Sequence, residues 1–574
     1  MKLRYLHLRD YPPLADVVVR FSSDSLLDRE CTIRFVVGVN GSGKSHLLRA
    51  ISEVFLALAD QRPPHFPATL VYELGRDSQK RTVVLDCPGT RATSSLWLAD
   101  GFVWPPDTTA ETFASTVEML RANAQIPDGF RALIAPGEWP ARFATPPAIA
   151  LPRAVLAYTT GLLTPWQGIW RRVSNISGID VVSQGLEYEL DRERPSSWTA
   201  EQEAALPESV GTTITGSGDT GSVETTTTEW RPILVTPTLL KCALVAVALP
   251  HALMEFVNYP REEVEKYLGP PKLRGLLERG AWKWPATIAV RMNFRPERWS
   301  ESEARRAREW LLCAGEVLSE PKPSTYRTLY FDTRGPFSLS AIDLYTSDEN
   351  LLTSQTQGEA LLSLIGGINS SAFERFERLK ELIETGFIED LRIGAARTDM
   401  PDILRFDEFS DGEQMVLGRM ALFQLLENED DALLLLDEPE THFNDKWKRE
   451  IVDIIDGAIR RTAADVLIAT HSAIVLTDVF NEEIVLMERR DSTAVARTVE
   501  DKTFASDPSE LMIRIFGADD SVGQRAREYI ESLLKQAQGT PADIQRIKAL
   551  VERLGSGFYR SELRTLINQW ERNA

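Results

Sequence analysis

The sequence predicts an α/β fold in which a long insertion separates two halves of one domain, followed by a helical tail. Near its start, an apolar strand, a glycine-rich loop and an amphipathic helix follow one another at 32–58. A second group of buried strands appears at 401–490, after a segment that mixes helices and strands. From 507 onward, apolar residues recur at helical spacing. We therefore expect the chain to fold back across the insertion and unite both halves.

The composition is that of a globular protein, with 43 % hydrophobic and 26 % charged residues in 574. A net charge of −20 argues against a protein that coats nucleic acid through its overall field. The four cysteines lack C-x-x-C spacing, which indicates free thiols in a reducing compartment. The most apolar run, 242–257, is too short to span a bilayer and predicts a buried helix, broken near Pro250. We expect a cytoplasmic protein without a membrane contact.

The elements follow in order along the chain. Strands are predicted in "KLRYLHL" and "DVVVRFS", then in "CTIRFVVG" before the glycine-rich loop, and residues 68–74 and 82–87 alternate like a hairpin. Further strands are predicted at 153–160 and 286–294, and "SSAFERFERLKELIETGF" predicts an amphipathic helix. The Thr-, Ser- and Gly-rich stretch 208–228 predicts a mobile loop. The predicted parts are an N-terminal half 1–105, an insertion 106–390, a C-terminal half 391–500 and a tail 501–574.

The glycine-rich loop "GVNGSGKS", residues 38–45, fits the pattern G-x-x-x-x-G-K-[ST]. Its glycines allow backbone N–H groups to turn around a phosphate, and the following helix adds its positive N-terminal end. Lys44 supplies a full charge, and Ser45 supplies a hydroxyl for Mg²⁺. The predicted nucleotide-binding residues of this loop are Asn40, Gly41, Ser42, Gly43, Lys44 and Ser45.

Such a loop needs a carboxylate at the end of a buried strand, and two candidates exist. Asp86, in "VVLDCPG", has the D-x-x-G pattern of a small GTPase, but the sequence has no N-K-x-D, and Asp, Pro and Gly are typical of a turn. Asp437, in "LLLLDEPETHF", ends a run of four leucines that predicts a central strand. Asp437 can hold Mg²⁺, and Glu438 is placed to polarise the attacking water. We favour this pair and keep the GTPase as the weaker alternative.

Two further motifs flank the acidic strand. "FSDGEQ" at 409–414 resembles the "LSGGQ" signature of ABC-type ATPases, and "ATHSA" at 469–473 resembles their switch-histidine segment. The resemblance implies that the signature contacts the γ-phosphate of ATP held by an opposite subunit, and that His471 contacts the γ-phosphate. The corresponding signature residues here are Ser410, Asp411, Gly412 and Glu413.

The order of loop, signature, acidic strand and histidine resembles the SMC/RecF/OLD branch of ABC-type ATPases, whose fold is likewise split by an insertion. The segments 1–100 and 390–500 carry the resemblance. It implies an ABC-type P-loop ATPase head split by a mixed, mainly helical insertion, with a helical C-terminal tail. It further implies ATP and Mg²⁺ as cofactors, and a homodimer or higher homo-oligomer. The family's Q-loop glutamine, a metal ligand, is best matched by Gln167, with Thr159 or Thr160 nearby.

Several motifs also resemble those of bacterial ATPases encoded with restriction and anti-phage nucleases, including the Septu type: "PRAVLAYTTGL", "FSDGEQ", "DEPETHF" and "ATHSAIV". This resemblance implies a partner effector, an HNH-type nuclease or a toxin. A stand-alone DNA-repair ATPase of RecF-like kind stays an alternative. Nucleic-acid binding stays open, because Arg alternates with Phe and Trp in 293–310 while solvated helix faces explain the same pattern. His442 is either part of a dimer interface or a surface residue at a helix start.

Overall fold

The structure of the protein is a computed structural model. This structure describes residues 1–21, 30–76, 79–102, 104–105, 107–123, 126–139, 149–177, 230–256, 282–339, 349–397, 402–490, 493–518, 520 and 522–573. The predicted mobile loop 208–228 lies outside the described residues. The chain forms two compact units, Met1–Ser506 and Asp507–Ala574.

The described elements alternate between strands and helices along the first unit, and the second unit is helical. The strands are β1 (Lys2–Tyr11), β2 (Leu14–Arg20), β3 (Thr32–Val37), β4 (Ala68–Leu74), β5 (Arg81–Cys87), β6 (Ser95–Asp100), β7 (Phe130–Ile134), β8 (Ala154–Thr159), β9 (Ile233–Leu234), β10 (Trp282–Asn293), β11 (Glu316–Ser319), β12 (Tyr326–Asp332), β13 (Ile388–Arg397), β14 (Ile403–Arg405), β15 (Ala432–Asp437), β16 (Asp465–Thr470), β17 (Ile484–Arg490) and β18 (Thr493–Thr498). The helices of the first unit are α1 (Lys44–Ala59), α2 (Ala110–Ala122), α3 (Thr164–Ser177), α4 (Pro237–Phe256), α5 (Glu301–Cys313), α6 (Glu349–Thr353), α7 (Gln357–Leu364), α8 (Ala372–Glu384), α9 (Asp411–Leu425), α10 (Asp445–Ile459) and α11 (Ala473–Leu476). Those of the second unit are α12 (Pro508–Arg514), α13 (Gln524–Gln536), α14 (Pro541–Arg553) and α15 (Phe558–Asn573).

The central sheet has seven strands in the order β18-β17-β3-β16-β15-β8-β9. Its inner strands run parallel, and β15 and β16 are buried along their whole length. This explains the unbroken apolar sequence "ALLLL", since a parallel strand covered on both faces has no solvent side. Strand β3, from the N-terminal half, lies between β17 and β16 of the C-terminal half. Parallel pairing brings the carboxyl ends of β3, β8, β15 and β16 to one edge. The predicted fold class, an α/β head completed across an insertion, is confirmed.

A second, antiparallel sheet of six strands has the order β2-β1-β4-β5-β6-β7. Its inner side chains share one apolar core with α1 and with the central sheet, as Leu70, Phe55 and Leu467 illustrate. The predicted hairpin of β4 and β5 is confirmed. Helix α1 therefore lies between two sheets, which fixes the orientation of the loop that precedes it.

The third sheet belongs to the predicted insertion and its border with the C-terminal half. It has five antiparallel strands in the order β11-β12-β10-β13-β14. Strands β8 and β9 also lie within the predicted insertion 106–390, yet they pair into the central sheet. Strand β7, also within 106–390, pairs with β6 of the six-stranded sheet, so three strands of the predicted insertion belong to the other two sheets.

Helix α4 corrects one expectation from the sequence. It runs through Pro250 instead of breaking there. A proline inside a helix removes one backbone hydrogen bond and kinks the helix, and burial can outweigh that cost. The residues before Pro250 are almost fully buried, and α4 packs against α8 and α9.

The second unit is a small helical bundle, as the periodicity of the tail predicts. Its core is formed by Ile530, Leu533, Ile547, Val551, Leu563 and Ile567. In the stretches of chain that the structure describes, no helix has both the length and the apolar character needed to cross a membrane.

Candidate functional site

The glycine-rich loop connects β3 to α1, and two of its glycines are required by close packing. A Cβ on Gly38 would lie 2.3 Å from the carbonyl oxygen of Met487, and one on Gly43 would lie 2.7 Å from Leu14. Both glycines have positive φ, of 150° and 99°. Lys44 folds back along the loop, and its Nζ donates to the carbonyls of Gly38 at 2.9 Å and Val39 at 3.3 Å. Helix α1 thus presents its N-terminus and a buried cation at the carboxyl edge of the central sheet.

The structure brings Asp437 to this loop across 392 residues of sequence. Ser45 Oγ donates to Asp437 Oδ1 at 2.8 Å, and Thr159 Oγ1 donates to Asp437 Oδ2 at 3.2 Å. Burial, followed by the negative charge of Glu438, raises the pKa of Asp437 despite these two hydrogen bonds. A nearby cation would offset that burial. One hydroxyl and one carboxylate oxygen at hydrogen-bond distance are a donor pair that suits Mg²⁺.

Asp86, the competing candidate, lies elsewhere. It is a residue of β5 in the six-stranded sheet, and its carboxylate receives Arg121 Nε and Nη2, both at 2.8 Å, and Thr69 Oγ1 at 3.0 Å. The charge of this aspartate is thus already balanced by a bidentate guanidinium, in a sheet other than the one that holds the phosphate loop. This geometry removes the main support for a GTPase.

Glu438 and His471 form a pair beside the loop. His471 Nδ1 lies 3.0 Å from Glu438 Oε1, and both side chains are partly exposed, at 48 % and 31 %. The hydrogen bond to Glu438 raises the pKa of His471, and the same bond lowers the pKa of Glu438. Burial lowers the pKa of Lys44, whereas the charges of Glu438 and Asp437 raise it. A carboxylate that keeps its charge next to a water-accessible opening is suited to orient a water molecule.

Residues 438–443, which we name the acidic turn, connect β15 to the start of α10. Two of them have positive φ, Glu438 at 52° and His442 at 70°. Non-glycine residues adopt this conformation only where their surroundings hold them in it. The turn is held by backbone hydrogen bonds from Glu438 N to Ala469 O at 2.8 Å and from Thr441 N to Glu438 O at 3.0 Å.

Arg419 of α9 is fully buried and holds the acidic turn in place through hydrogen bonds to its backbone. Its Nη1 donates to the carbonyl of Pro439 and, at 3.0 Å, to that of Thr441, while Nε donates to the Tyr158 hydroxyl at 3.1 Å. The guanidinium also lies 4.7 Å from the centre of the Phe443 ring. Sequence reasoning missed Arg419, although a lone arginine in the apolar run "GRMALFQLL" is a signal for a buried, functional charge.

The signature segment begins α9 on an exposed surface. Ser410 is the N-cap: its Oγ accepts from Glu413 N at 3.3 Å, while Glu413 Oε2 accepts from Ser410 N at 3.2 Å. Gly412 lies against the carbonyl of His442, 3.4 Å from where a Cβ would stand. The N-terminus of α9 is therefore capped by its own residues on an exposed surface, and it lies next to the exposed His442 of the acidic turn.

Gln167 lies in α3, partly buried. Among the described residues, the side-chain hydrogen bonds to Asp437 come from Ser45 and Thr159. The role of Gln167 as a metal ligand therefore stays a prediction. Thr160 Oγ1 donates to the carbonyl of Glu438 at 2.9 Å. The two threonines of β8 and the loop after it, which were expected near the site, thus contact both members of the acidic pair.

A cleft of about 340 Å³ lies beside the first turn of α1. His46 and Arg49 line one wall, and Tyr11 and Phe66 line another, with ring centres 4.6 Å apart. Burial, followed by the charge of Arg49, lowers the pKa of His46 to about 4. Aromatic rings and polar groups next to a phosphate-binding loop are suited to a heterocycle with attached hydroxyls.

Two protein-family models match parts of the chain. One, described as "AAA domain", matches residues 1–69, and the other, described as "AAA domain, putative AbiEii toxin, Type IV TA system", matches residues 373–478. The first stretch holds the glycine-rich loop, and the second holds the signature segment, Asp437 and His471. No curated protein matches the chain.

Solved structures of SMC heads are similar to the chain at low identity. The Smc head domain of Pyrococcus furiosus bound to the C-terminal domain of ScpA is 14 % identical over 87 % of this chain and 96 % of its own, with a TM-score of 0.29. The SMC head domain of Thermotoga maritima is 12 % identical over 87 % of this chain and 100 % of its own, with a TM-score of 0.28.

The two ATPase-domain matches fall on the two stretches that the structure joins at the carboxyl edge of the central sheet. The chain is an ATPase with a P-loop nucleotide site.

Proposed function

We propose that this chain is an ABC-type ATPase that dimerises around ATP and Mg²⁺ and regulates a partner effector, an HNH-type nuclease or a toxin, in bacterial anti-phage defence. The observation that carries the ATPase part is the Ser45–Asp437 hydrogen bond with the Glu438–His471 pair beside it. It unites at one edge a phosphate loop, a metal-binding pair and a group that can orient water.

In this site, the backbone N–H groups of the loop and Lys44 would bind the β- and γ-phosphates. Ser45 and Asp437 would hold Mg²⁺, which when bound neutralises charge on the phosphates. Ser42 Oγ is buried without a hydrogen-bond partner among the described residues, so a phosphate oxygen would satisfy it. The nucleoside would then lie in the cleft beside His46.

Glu438 would orient the attacking water, and His471 would hold Glu438 in place while facing the γ-phosphate. A donor on the side away from its own loop would complete each site. The exposed N-terminus of α9, with Ser410 at its cap, would supply that donor from a second copy of the chain. ATP binding would then join two subunits, and hydrolysis would separate them.

Glu438→Gln tests the chemistry. It keeps the shape and the phosphate contacts but removes the carboxylate charge, so ATP should still bind while kcat falls by about 100- to 10,000-fold. The ATP-bound dimer should persist, as measured by size-exclusion chromatography coupled to light scattering. A Glu438→Gln variant with wild-type turnover would remove Glu438 from the role of base.

Ser410→Arg tests the action across the dimer. Ser410 is exposed and lies outside its own phosphate loop, so ATP binding by an isolated subunit should be unchanged while hydrolysis is abolished. A matched control is Ser300→Arg, since Ser300 caps α5 with the same arrangement of hydrogen bonds to a glutamate three residues on. Hydrolysis that survives Ser410→Arg would contradict the two-subunit site.

A role in a bacterial toxin system agrees with the family description at 373–478, "AAA domain, putative AbiEii toxin, Type IV TA system", which describes the matched domain and not a partner. We expect the chain to co-purify with a nuclease or toxin encoded beside it. ATPase activity that is stimulated by DNA, without such a partner, would favour the RecF-like alternative.

The Arg- and aromatic-rich segment at 293–310 weighs against that alternative. Phe294 packs edge-on against Trp299, with ring centres 4.8 Å apart, and Arg327 stacks over Phe294 at 3.6 Å. Nearby, Arg291 is bound by Glu320 and Glu389. Groups that already contact one another are less free to stack with bases or bind phosphates.

A further inference from the structure

The acidic turn and the end of β16 are joined by three successive connections. The backbone N–H of Glu438 donates to Ala469 O, the Thr470 hydroxyl donates to Glu440 Oε1, and His471 Nδ1 lies within hydrogen-bond distance of Glu438 Oε1. The first and third involve Glu438 itself. The second joins the side chains of Glu440 and Thr470, and Thr470 pairs with Val37, the residue before the phosphate loop.

Thr470 uses its hydroxyl twice. Besides donating to Glu440, its Oγ1 accepts the backbone N–H of Ser472 at 3.0 Å. This closes a tight turn around His471, of the kind that Ser and Thr side chains form with the chain two residues on. The backbone of His471 is therefore held by the residue before it, and that residue is anchored to Glu440.

Glu440 is almost completely buried although it carries a carboxyl group and lies in a turn. It is 2 % exposed, and its Oε2 is buried without a hydrogen-bond partner among the described residues. Burial raises its pKa above the ordinary glutamate value. Placing a carboxyl group here is costly, and a valine or threonine at this position would avoid that cost. A position that retains a costly polar group is a candidate for a functional role.

We propose that Glu440 and Thr470 are positioning residues of the ATPase, whose hydrogen bond holds His471 against Glu438 and thereby sets the orientation of the water-directing carboxylate. In the proposed site, neither residue would hold the nucleotide directly. Their effect passes through the Ser472 turn on one side and through the acidic turn on the other. This inference rests on the proposed roles of Glu438 and His471 in hydrolysis.

The test uses pairs of variants of the full chain that differ in the hydrogen bonds of one side chain. Thr470→Val removes the hydroxyl at constant shape, and Thr470→Ser restores it. Glu440→Ala removes the acceptor, and Glu440→Gln restores an oxygen acceptor at the same place. Thr462→Val is the matched control, because Thr462 is also buried but donates only to Ile459 O, before the opposite end of β16.

We expect Thr470→Val and Glu440→Ala to lower kcat by about 10- to 100-fold, the cost of a misplaced reacting group. KM and the binding of a fluorescent ATP analogue should stay within about threefold of wild type. Thr470→Ser and Glu440→Gln should recover most of kcat, and Thr462→Val should match wild type. The double variant Glu440→Ala/Thr470→Val should be no slower than Thr470→Val, because Glu440→Ala removes a connection that Thr470→Val has already removed.

The inference is overturned if Thr470→Val has the kcat of the Thr462→Val control, or if KM rises while kcat is unchanged. It is also overturned if the two single losses multiply in the double variant, since the residues would then act separately. If Glu440→Ala does not fold, the comparison of Thr470→Val with Thr470→Ser decides alone. Wild-type chain that does not hydrolyse ATP would instead overturn the proposed function itself.

Discussion

Arg419→Met removes the side chain that holds the acidic turn from the side of α9. The substitution keeps an unbranched chain of similar length, so the apolar packing around it is largely preserved. It deletes the donors to the carbonyls of Pro439 and Thr441 and to the Tyr158 hydroxyl. We expect two separate effects, one on stability and one on turnover.

The loss of stability follows from the bonds that are left unmade. A buried carbonyl without a donor costs about 1–3 kcal/mol, and two carbonyls are affected, which gives about 2–6 kcal/mol. Methionine also removes a buried guanidinium, whose own desolvation is unfavourable. Burial lowers the pKa of Arg419, which agrees with such a cost. We therefore expect a net loss of about 2–4 kcal/mol in the free energy of unfolding.

The loss of turnover has a different cause. Without Arg419 the acidic turn can relax from its positive-φ conformation, so Glu438 is displaced from the phosphate loop. We expect kcat to fall by about 10- to 100-fold at temperatures where the variant stays folded. Arg419→Lys should be intermediate, because an ammonium cannot donate to both carbonyls in the fixed geometry of a guanidinium.

Arg375→Met is the matched control. Arg375 is also buried, at 4 % exposure. It donates to the carbonyls of Ala246, Gly367 and Ser370, and these three acceptors are not residues of the proposed nucleotide site. Burial lowers its pKa to about 10. Both variants should unfold earlier in a thermal scan, and only Arg419→Met should lose kcat. Equal kcat values for the two variants would refute the role of Arg419 in holding the turn.

Further predictions concern charge at and near the site. Asp437→Asn should lower Mg²⁺-dependent hydrolysis by more than about 100-fold, whereas Asp86→Asn should change only the melting temperature. If a steady-state assay showed instead that Asp86→Asn loses hydrolysis and Asp437→Asn keeps it, Asp86 would be the metal ligand. The pKa of His471 is raised by Glu438, so its stabilising effect is complete below the ordinary histidine pKa and fades as pH rises through the raised value. The difference in melting temperature between wild type and His471→Asn should therefore shrink between pH 6 and pH 9, and a constant difference would argue against the pair. His46 has a pKa lowered to about 4, so stability should fall as pH drops from about 6.5 toward that value. His46→Gln should reduce this acid sensitivity, which urea titrations at several pH values can measure.

The sequence predicted the parts of the site that local motifs define. The loop at 38–45 could be found because glycine spacing, Lys44 and the flanking strand and helix lie within one short segment. Asp437 and Glu438 could be found because a run of leucines ends at them. The choice of Asp437 over Asp86 also followed from sequence, and the Arg121–Asp86 pair now gives its physical reason.

Residues that act only through tertiary contacts were missed, and the sequence signal at Arg419, a lone charge in an apolar run, does not name its partners. Arg419 looks like one charged residue in a helix, and only the packing of α9 beneath the acidic turn gives it three acceptors. Glu440 belongs to the same motif as Asp437 and Glu438, to which the sequence assigned the chemistry. Its burial depends on β16, which is distant in sequence. Helix α4 differs from expectation for the same reason, since its neighbours stabilise a helix that Pro250 alone would interrupt.

The placement of β3, β15 and β16 side by side has a consequence for how the chain is made. Ser45 and Asp437 are separated by 392 residues, so on a ribosome that adds about 5–20 residues per second the loop waits roughly 20–80 s for its partner. During that time β3 lacks β16 and β17, the strands on both sides of it in the finished sheet. Nascent chains are therefore exposed to aggregation through an unpaired apolar strand. Translation speed and chaperone supply should control the yield of active protein more strongly than for a domain whose central strands are adjacent in sequence.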